Sequence, residues 1–382
     1  MTALLDGIVV ADFSRVLAGP LATSMLADLG ATVVKVERPG TGDDTRHWGP
    51  PWTATTSAYF DCANRSKESV ELDLDDPADH RIALDLMTTA DVVVENFRPG
   101  ALAAKGLAYD DVRRSNPGVV YCSISGFGTA GGATLPGYDF LVQAVGGLMS
   151  ITGGTDAEPT KVGVALVDVL TSKDAVIGIL AALNERHASG EGQLVEVNLL
   201  SSLLGSLANQ ASSYLATGAA PQRMGNQHPS IAPYETLRCA DGIIAVCCGN
   251  DAQFVRLAGV LGRPELAADE RFAHNADRVT NRSQLIPLIE AVLAGGRAAE
   301  WIAALTEVGV PAGAVGDIGS AFDLATDLGL APRVDVGPDA IDQVRHPITY
   351  SRTPVDTYRR PPRLGEHNDV VRARHTQKTR TT

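Results

Sequence analysis

Apolar runs of strand length alternate with helically spaced apolar positions over residues 8–124. Ile8–Phe13 (IVVADF), Thr32–Glu37 (TVVKVE), Asp91–Asn96 (DVVVEN) and Val119–Ile124 (VVYCSI) predict strands. Leu21, Met25, Leu26 and Leu29 recur at helical spacing. Pro20 suits the first turn of that helix and Gly30 its stop. Asp76–Thr89 predicts a further helix. Such alternation implies an α/β fold, with parallel strands joined by right-handed crossovers. Ligands in these sheets collect at the carboxyl ends of the strands. Here those ends carry Ser14 and Arg15, Arg38, Asn96 and Phe97, and Ser125 and Gly126.

The pattern changes beyond residue 140. Leu141–Ile151, Asp168–His187 and Asn198–Thr217 are mainly helical in period. The third is uniformly small and apolar, which predicts a connector buried against other protein. Ala219–Pro233 is rich in Gly, Pro and polar residues and reads as a linker or active-site loop. Tyr234–Cys248 (YETLRCADGIIAVCC) predicts a hairpin, followed by helices at Ala252–Leu261, Arg282–Ala294 and Ala298–Val308. Residues 333–365 return to short extended stretches with many prolines. The basic, polar tail from Val371 on predicts disorder.

A chain of 382 residues exceeds one ordinary core, so two domains are expected. With 45% hydrophobic and 20% charged residues it has the composition of a soluble protein. The net charge of −13 argues against nucleic-acid binding, which needs a basic face. An anionic ligand would need local clusters, and Arg15, Arg38, Arg65, Lys67, Arg98 and Lys105 lie at or near strand ends. Five cysteines in no zinc spacing predict reduced packing residues, no metal site and a cytoplasmic protein. No membrane segment is expected.

Asp168 stands in KVGVALVDVLTSKDAVIGILAAL, a run otherwise mostly apolar or small. A carboxylate there loses hydration, and an unpaired buried charge is costly. Taken alone, Asp168 reads first as a helix N-cap or buried acceptor and second as a reactive group. Asp139 reads as the N-cap of the helix after it, and Tyr138 as a core aromatic with a bonded hydroxyl. The turn Met224–Pro229 holds Gly225, Asn226 and His228, and a turn histidine is more often structural than catalytic. The first strand-to-helix turn, SRVLAGP, lacks GxGxxG, and no GxSxG, HExxH or P-loop occurs.

Several segments together resemble the family III CoA-transferases, the group that includes formyl-CoA:oxalate and carnitine CoA-transferases and alpha-methylacyl-CoA racemase. The carriers are LxGIxVxDFSRVLAGP (5–20), LADLGATVVKVERPGTGD (26–43), NRSKESVELDL (64–74), DVVVENFRPGALAAKGL (91–107), PGYDFLVQAVGGLMSITG (136–153), GVALVDVLTSKDAVIGILAAL (163–183), RMGNQHPSIAPYE (223–235) and LGEHN (364–368). Each is weak singly, but the order and spacing are specific.

The resemblance implies that Asp168 is the nucleophile. It would attack an acyl-CoA thioester to give an aspartyl anhydride, then an aspartyl-CoA thioester that passes CoA to a free carboxylic acid. No permanently bound cofactor is implied, because CoA and acyl-CoA are substrates. The CoA contacts carried over are Arg15, Val16, Ala18, Arg38, Leu72, Asn96, Phe97 and Lys105. Asp139, Gly225, Asn226 and His228 would belong to an active-site loop. Where the formyl-CoA:oxalate enzymes have an arginine against adenine, this chain reads Ala103-Ala104-Lys105. Their long glycine-rich loop is matched only by the short GNQHP turn.

The racemase branch carries a histidine where this chain has Tyr138. A tyrosine with a pKa of about 10 is a poor proton shuttle at neutral pH. The resemblance therefore implies the transferase branch, with a racemase and a non-catalytic CoA-thioester binder as alternatives. It also implies a Rossmann-like large domain, a smaller α+β domain and an interlocked homodimer. The expected division is 1–197 for the large domain, 198–225 for a linker helix and loop, and 226–325 for the small domain. Residues 326–370 would return to the large domain, and 371–382 would form the disordered tail.

Overall fold

The computed structural model describes residues 3–54 and 56–376. Its sheet contains β1 (Val9–Asp12), β2 (Thr32–Glu37), β3 (Glu68–Glu71), β4 (Val92–Glu95), β5 (Val120–Ser125) and β6 (Leu194–Asn198). All neighbours are parallel and the order is β3-β2-β1-β4-β5-β6. Successive side chains of a strand point to opposite faces. Val10, Val33, Val92, Val94 and Val120 accordingly pack with the helices Ala18–Asp28 and Leu166–Ser189. Ala11, Val34, Val93 and Tyr121 pack on the other face with the helix Pro77–Thr89. Both faces are covered, which is why the central strands read as continuous apolar runs.

One compact unit takes in the chain up to Leu148, Val162–Gly218 and Ala331 onward. The other takes in Met149–Lys161 and Ala219–Leu330. These divisions differ from the boundaries drawn on the sequence. The expected linker is split, because Leu199 and Leu203 are buried in the core of the parallel sheet. The expected single helix Asn198–Thr217 is also two, Leu199–Ser206 and Ala208–Thr217, separated where Ala208 takes φ 44°.

The second unit has the antiparallel order β7 (Tyr234–Cys239), β8 (Gly242–Cys247), β9 (Ala312–Ala314). Helices Asp251–Val260, Arg282–Leu293 and Ala298–Glu307 contribute Phe254, Leu257, Leu285, Ile289 and Leu305 to its core. This is the smaller α+β domain expected.

The first unit ends in a helix, Asn368–Thr376, where the sequence predicted a disordered tail from Val371. Val371 is fully buried in the core beside the Pro77–Thr89 helix. Three of the basic residues that suggested disorder meet an acid: Arg372 pairs with Asp79 at 2.6 Å, Arg374 with Glu68 at 2.7 Å and His375 with Asp85 at 2.6 Å. Residues 377–382 of that expected tail lie outside the described residues.

Candidate active site

The strand order reverses between β1 and β4, the place where doubly wound sheets open a crevice. β1 runs through Arg15, Val16 and Leu17 into the helix Ala18–Asp28, and β4 runs into Asn96 and Phe97. Asn96 joins the two sides. Its Oδ1 accepts from the Arg15 N–H at 2.8 Å and its Nδ2 donates to the Arg15 carbonyl at 2.7 Å. The amide expected to touch CoA thus makes one bond in each direction to the backbone of Arg15 and keeps a second N–H.

A buried charge cluster lies under this turn. Lys67 pairs with Asp12 at 3.0 Å and Lys35 with Asp43 at 2.9 Å, and all four side chains are fully buried. Burial pushes Lys67 down to about 8 despite the opposing pull of Asp12. Burial alone would raise Asp12, but Lys67, Lys35 and hydrogen bonds from Ser14 and Thr23 carry it below the usual carboxylate range. Lys67 is therefore structural and not the ligand-facing cation its position at a strand end suggested. Arg65 is likewise engaged, with Asp28 at 2.6 Å.

One cavity of about 200 Å³ brings together Arg15, Val16, Ala18, Asn96, Phe97, Tyr138, Asp139 and Asp168. Asp168 sits in the first turn of the helix Leu166–Ser189. Asp139 does not cap its own helix, Asp139–Val145, where Tyr138 holds the N-cap position. Its Oδ1 instead accepts from the Val167 and Asp168 N–H groups, at 2.8 and 3.3 Å. Its Oδ2 accepts from Gln143 at 2.7 Å. Asp139 thus satisfies free donors at the start of the neighbouring helix and brings a negative charge close to Asp168.

A first-turn aspartate is ordinarily stabilised as the anion by the helix dipole. Here burial, and after it the charge of Asp139, push Asp168 up to about 7. The Asp168 carboxylate has no hydrogen-bond or ion-pair partner among the described residues. Were this carboxylate to act as a nucleophile it would do so as the anion, and kcat/KM of that reaction should rise about tenfold per pH unit up to about pH 7 and then level. A profile that is flat from pH 5 to 8 would contradict this.

Tyr138 lines the same cavity but is 63% exposed, not the core aromatic the sequence suggested. Sequence reasoning missed Tyr59. Its phenol is pushed up to about 12 by burial first and by the negative charge of Asp168 next. Nothing in SAYFD distinguishes that tyrosine from a core residue.

A second cavity, of about 220 Å³, is lined by Arg15, Arg38, Leu72, Phe97 and Lys105. Arg15 and Phe97 line both cavities, with the guanidinium 5.3 Å from the ring centroid. Asp44 pairs with Arg38 and lies 3.6 Å from Arg15, and Lys105 pairs with Asp75. A phosphate group entering here would compete with Asp44 for both arginines.

Gly225, Asn226 and His228 lie in the second unit and make contacts within it. Gly225 takes φ 61° and donates its N–H to Gly153. Asn226 bonds Thr236, and His228 accepts from the Ser230 N–H at 3.0 Å while its ring packs on Tyr234. No cluster of three or more His, Cys, Asp or Glu suited to a metal occurs among the described residues, and no helix there is long and apolar enough to cross a membrane.

Comparison with known proteins agrees with this layout. The sequence pattern of CoA-transferase family III matches residues 5–368. An Agrobacterium fabrum succinate–glutarate CoA-transferase is 42% identical over 379 residues, covering 97% of this chain and 95% of its own length. An Acetobacter aceti acetyl-CoA:oxalate CoA-transferase is 41% identical over 321 residues, covering 84% of this chain and 82% of its own. The crystal structure of a CaiB/BaiF family protein from Brucella suis superposes with a TM-score of 0.87 at 42% identity, covering 98% of this chain and 100% of that one. A match spanning the crevice, the Asp168 helix and the returning C-terminal segment leaves one assignment: the chain belongs to CoA-transferase family III.

Proposed function

We propose that this CoA-transferase moves CoA from an acyl-CoA to a free carboxylic acid through covalent intermediates on Asp168. The observation that carries the reading is a desolvated carboxylate, without a countercharge, on the wall of a cavity at the sheet's reversal point. A poorly solvated carboxylate is a stronger nucleophile than a hydrated one.

An Asp168 oxygen attacks the thioester carbonyl carbon, the C–S bond breaks, and CoA leaves as thiolate. The thiolate attacks the Asp168 carbonyl of the resulting anhydride and releases the donor acid. The acceptor carboxylate then attacks the aspartyl-CoA thioester, again expelling thiolate. That thiolate takes the acceptor's acyl group and regenerates the Asp168 carboxylate. Each intermediate keeps the energy of the thioester, so the cycle needs no bound cofactor. Water has to be kept from both acyl intermediates. Tyr138 is placed to donate a hydrogen bond to a substrate carbonyl or carboxylate. Arg15, Arg38 and Lys105 supply cations for the CoA phosphates, Leu72 and Phe97 supply apolar surface, and Val16 and Ala18 lie at the thioester end. The apolar exposure of Ile177, Leu204, Tyr214 and Leu215 supports an interlocked homodimer.

The acids in the relatives' names, succinate, glutarate and oxalate, have two carboxylates, and we extend that substrate class to this chain. Arg98 lines the Asp168 cavity and has no acidic partner among the described residues, so it suits the far carboxylate. Losing a charged hydrogen bond costs about 1.5–3 kcal/mol, so Arg98→Met should raise KM for glutarate about 10- to 100-fold. KM for butyrate should change little. Equal losses for both acids would remove Arg98 from this role. The function itself is tested with succinyl-CoA and glutarate in D2O. Glutaryl-CoA should form without deuterium at its alpha carbon, and alpha exchange without CoA transfer would overturn the reading.

A further inference from the structure

Val16 holds φ 70°, in the left-handed region that a β-branched residue rarely takes. It lies between Arg15, which lines both cavities, and the start of the helix at Ala18. No glycine relieves the turn at this point, so something else must hold it. The Val16 N–H points at Asp43, 3.3 and 3.2 Å from the two carboxylate oxygens. Asp43 is itself fixed from every side. It takes the Lys35 ammonium at 2.9 Å, the Thr45 N–H at 3.0 Å and the Thr45 hydroxyl at 2.8 Å. Its own N–H donates to Glu37 at 2.9 Å. The other side of the turn is clamped by Asn96 on Arg15.

We propose that Asp43, braced by Lys35, is a positioning residue for acyl-CoA: it holds Val16 in its left-handed conformation and thereby aims the Arg15–Ala18 turn at the thioester. The role rests on the reading that the Asp168 cavity takes the thioester. Asp43 acts through Val16. If the hold is lost, Val16 relaxes toward negative φ, and Arg15 and the helix start at Ala18 turn away from the cavity. Backbone strain of this kind is worth about five- to hundredfold in an equilibrium. Glycine takes the same φ unaided, so a glycine at position 16 makes the brace unnecessary.

The test is a double-mutant cycle on succinyl-CoA kinetics. Asp43→Ala should raise KM for succinyl-CoA about tenfold or more. In a Val16→Gly background the same substitution should cost less than about threefold. A purely structural role would give the same factor in both backgrounds, and that result would overturn the proposal. Should Asp43→Ala fail to fold because it strands Lys35, the comparison is made with Lys35→Met/Asp43→Ala, which removes both charges together. Direct binding of succinyl-CoA to the unmutated protein is measured alongside. No binding there would sink the reading of the cavity, whereas normal binding with equal factors in both backgrounds would sink only the role of Asp43.

Discussion

Asp168→Asn should abolish CoA transfer while leaving a folded and more stable protein. The substitution keeps the side chain's shape and removes its nucleophilic charge. Loss of a covalent nucleophile costs at least about 10³-fold in turnover. The stability change follows from the same burial. The Asp168 carboxyl is held up to about 7, against an ordinary value of 3.8. Its ionisation therefore opposes folding, and native stability is lost progressively as pH rises from about 4 to 7. Asparagine carries no such charge. At pH 8 the variant should be more stable by roughly 2–4 kcal/mol, and at pH 4 the difference should disappear. Denaturant unfolding at the two pH values, read beside a transfer assay, checks both halves. A variant with wild-type turnover, or one less stable at pH 8, would contradict the role given to this carboxylate.

The largest stability loss is expected from Asp12→Asn. Asp12 and Lys67 are both fully buried, and Lys67 also donates to Asn64 and to the Pro20 carbonyl. Removing the carboxylate leaves an ammonium group in the interior beside the equally buried Lys35. Breaking a buried pair from one side costs about 3–5 kcal/mol, more than the pair contributes over an apolar replacement. Lys67 already titrates near 8, so it loses its proton more readily than an exposed lysine. The deficit should be largest where Lys67 is charged in both proteins, shrink as pH rises toward 8 because only the variant has lost the Lys67 proton there, and level off above about pH 8. Asp12→Asn/Lys67→Met should recover most of the loss at pH 7. Urea unfolding measures this, and a loss under about 1 kcal/mol for the single variant would mean the cluster is more hydrated than the structure shows.

What could be read from the sequence follows from what each position must satisfy. β1, β2, β4 and β5 were legible because strands covered on both faces must be apolar throughout. The edge strands β3 and β6 were not singled out. ESVE and LVEVN are short and interrupted by glutamates, as edges tend to be. The terminal helix was misread as disorder because its basic residues are paired with Asp79, Glu68 and Asp85, about 290 to 306 positions away.

The site shows the same limit. Asp168 was conspicuous because a carboxylate in an apolar run needs an explanation. Its electrostatic setting depends on Asp139, whose bonds reach 28 residues along the chain and serve a helix other than its own. Asn96 looked like a ligand contact, and nothing in the sequence signalled that its amide also clamps the backbone of Arg15, 81 residues away. The left-handed Val16 left no trace at all, since a β-branched residue is among the last expected there.

The proposed cycle requires CoA to pass through a covalent bond to Asp168. Its most direct test is intact-protein mass spectrometry of the enzyme mixed with succinyl-CoA and quenched with hydroxylamine, followed by peptide mapping. A hydroxamate should appear on Asp168, formed only with acyl-CoA present and absent from Asp168→Asn. An unmodified Asp168 during active turnover, or the same modification in the Asp168→Asn protein, would contradict it.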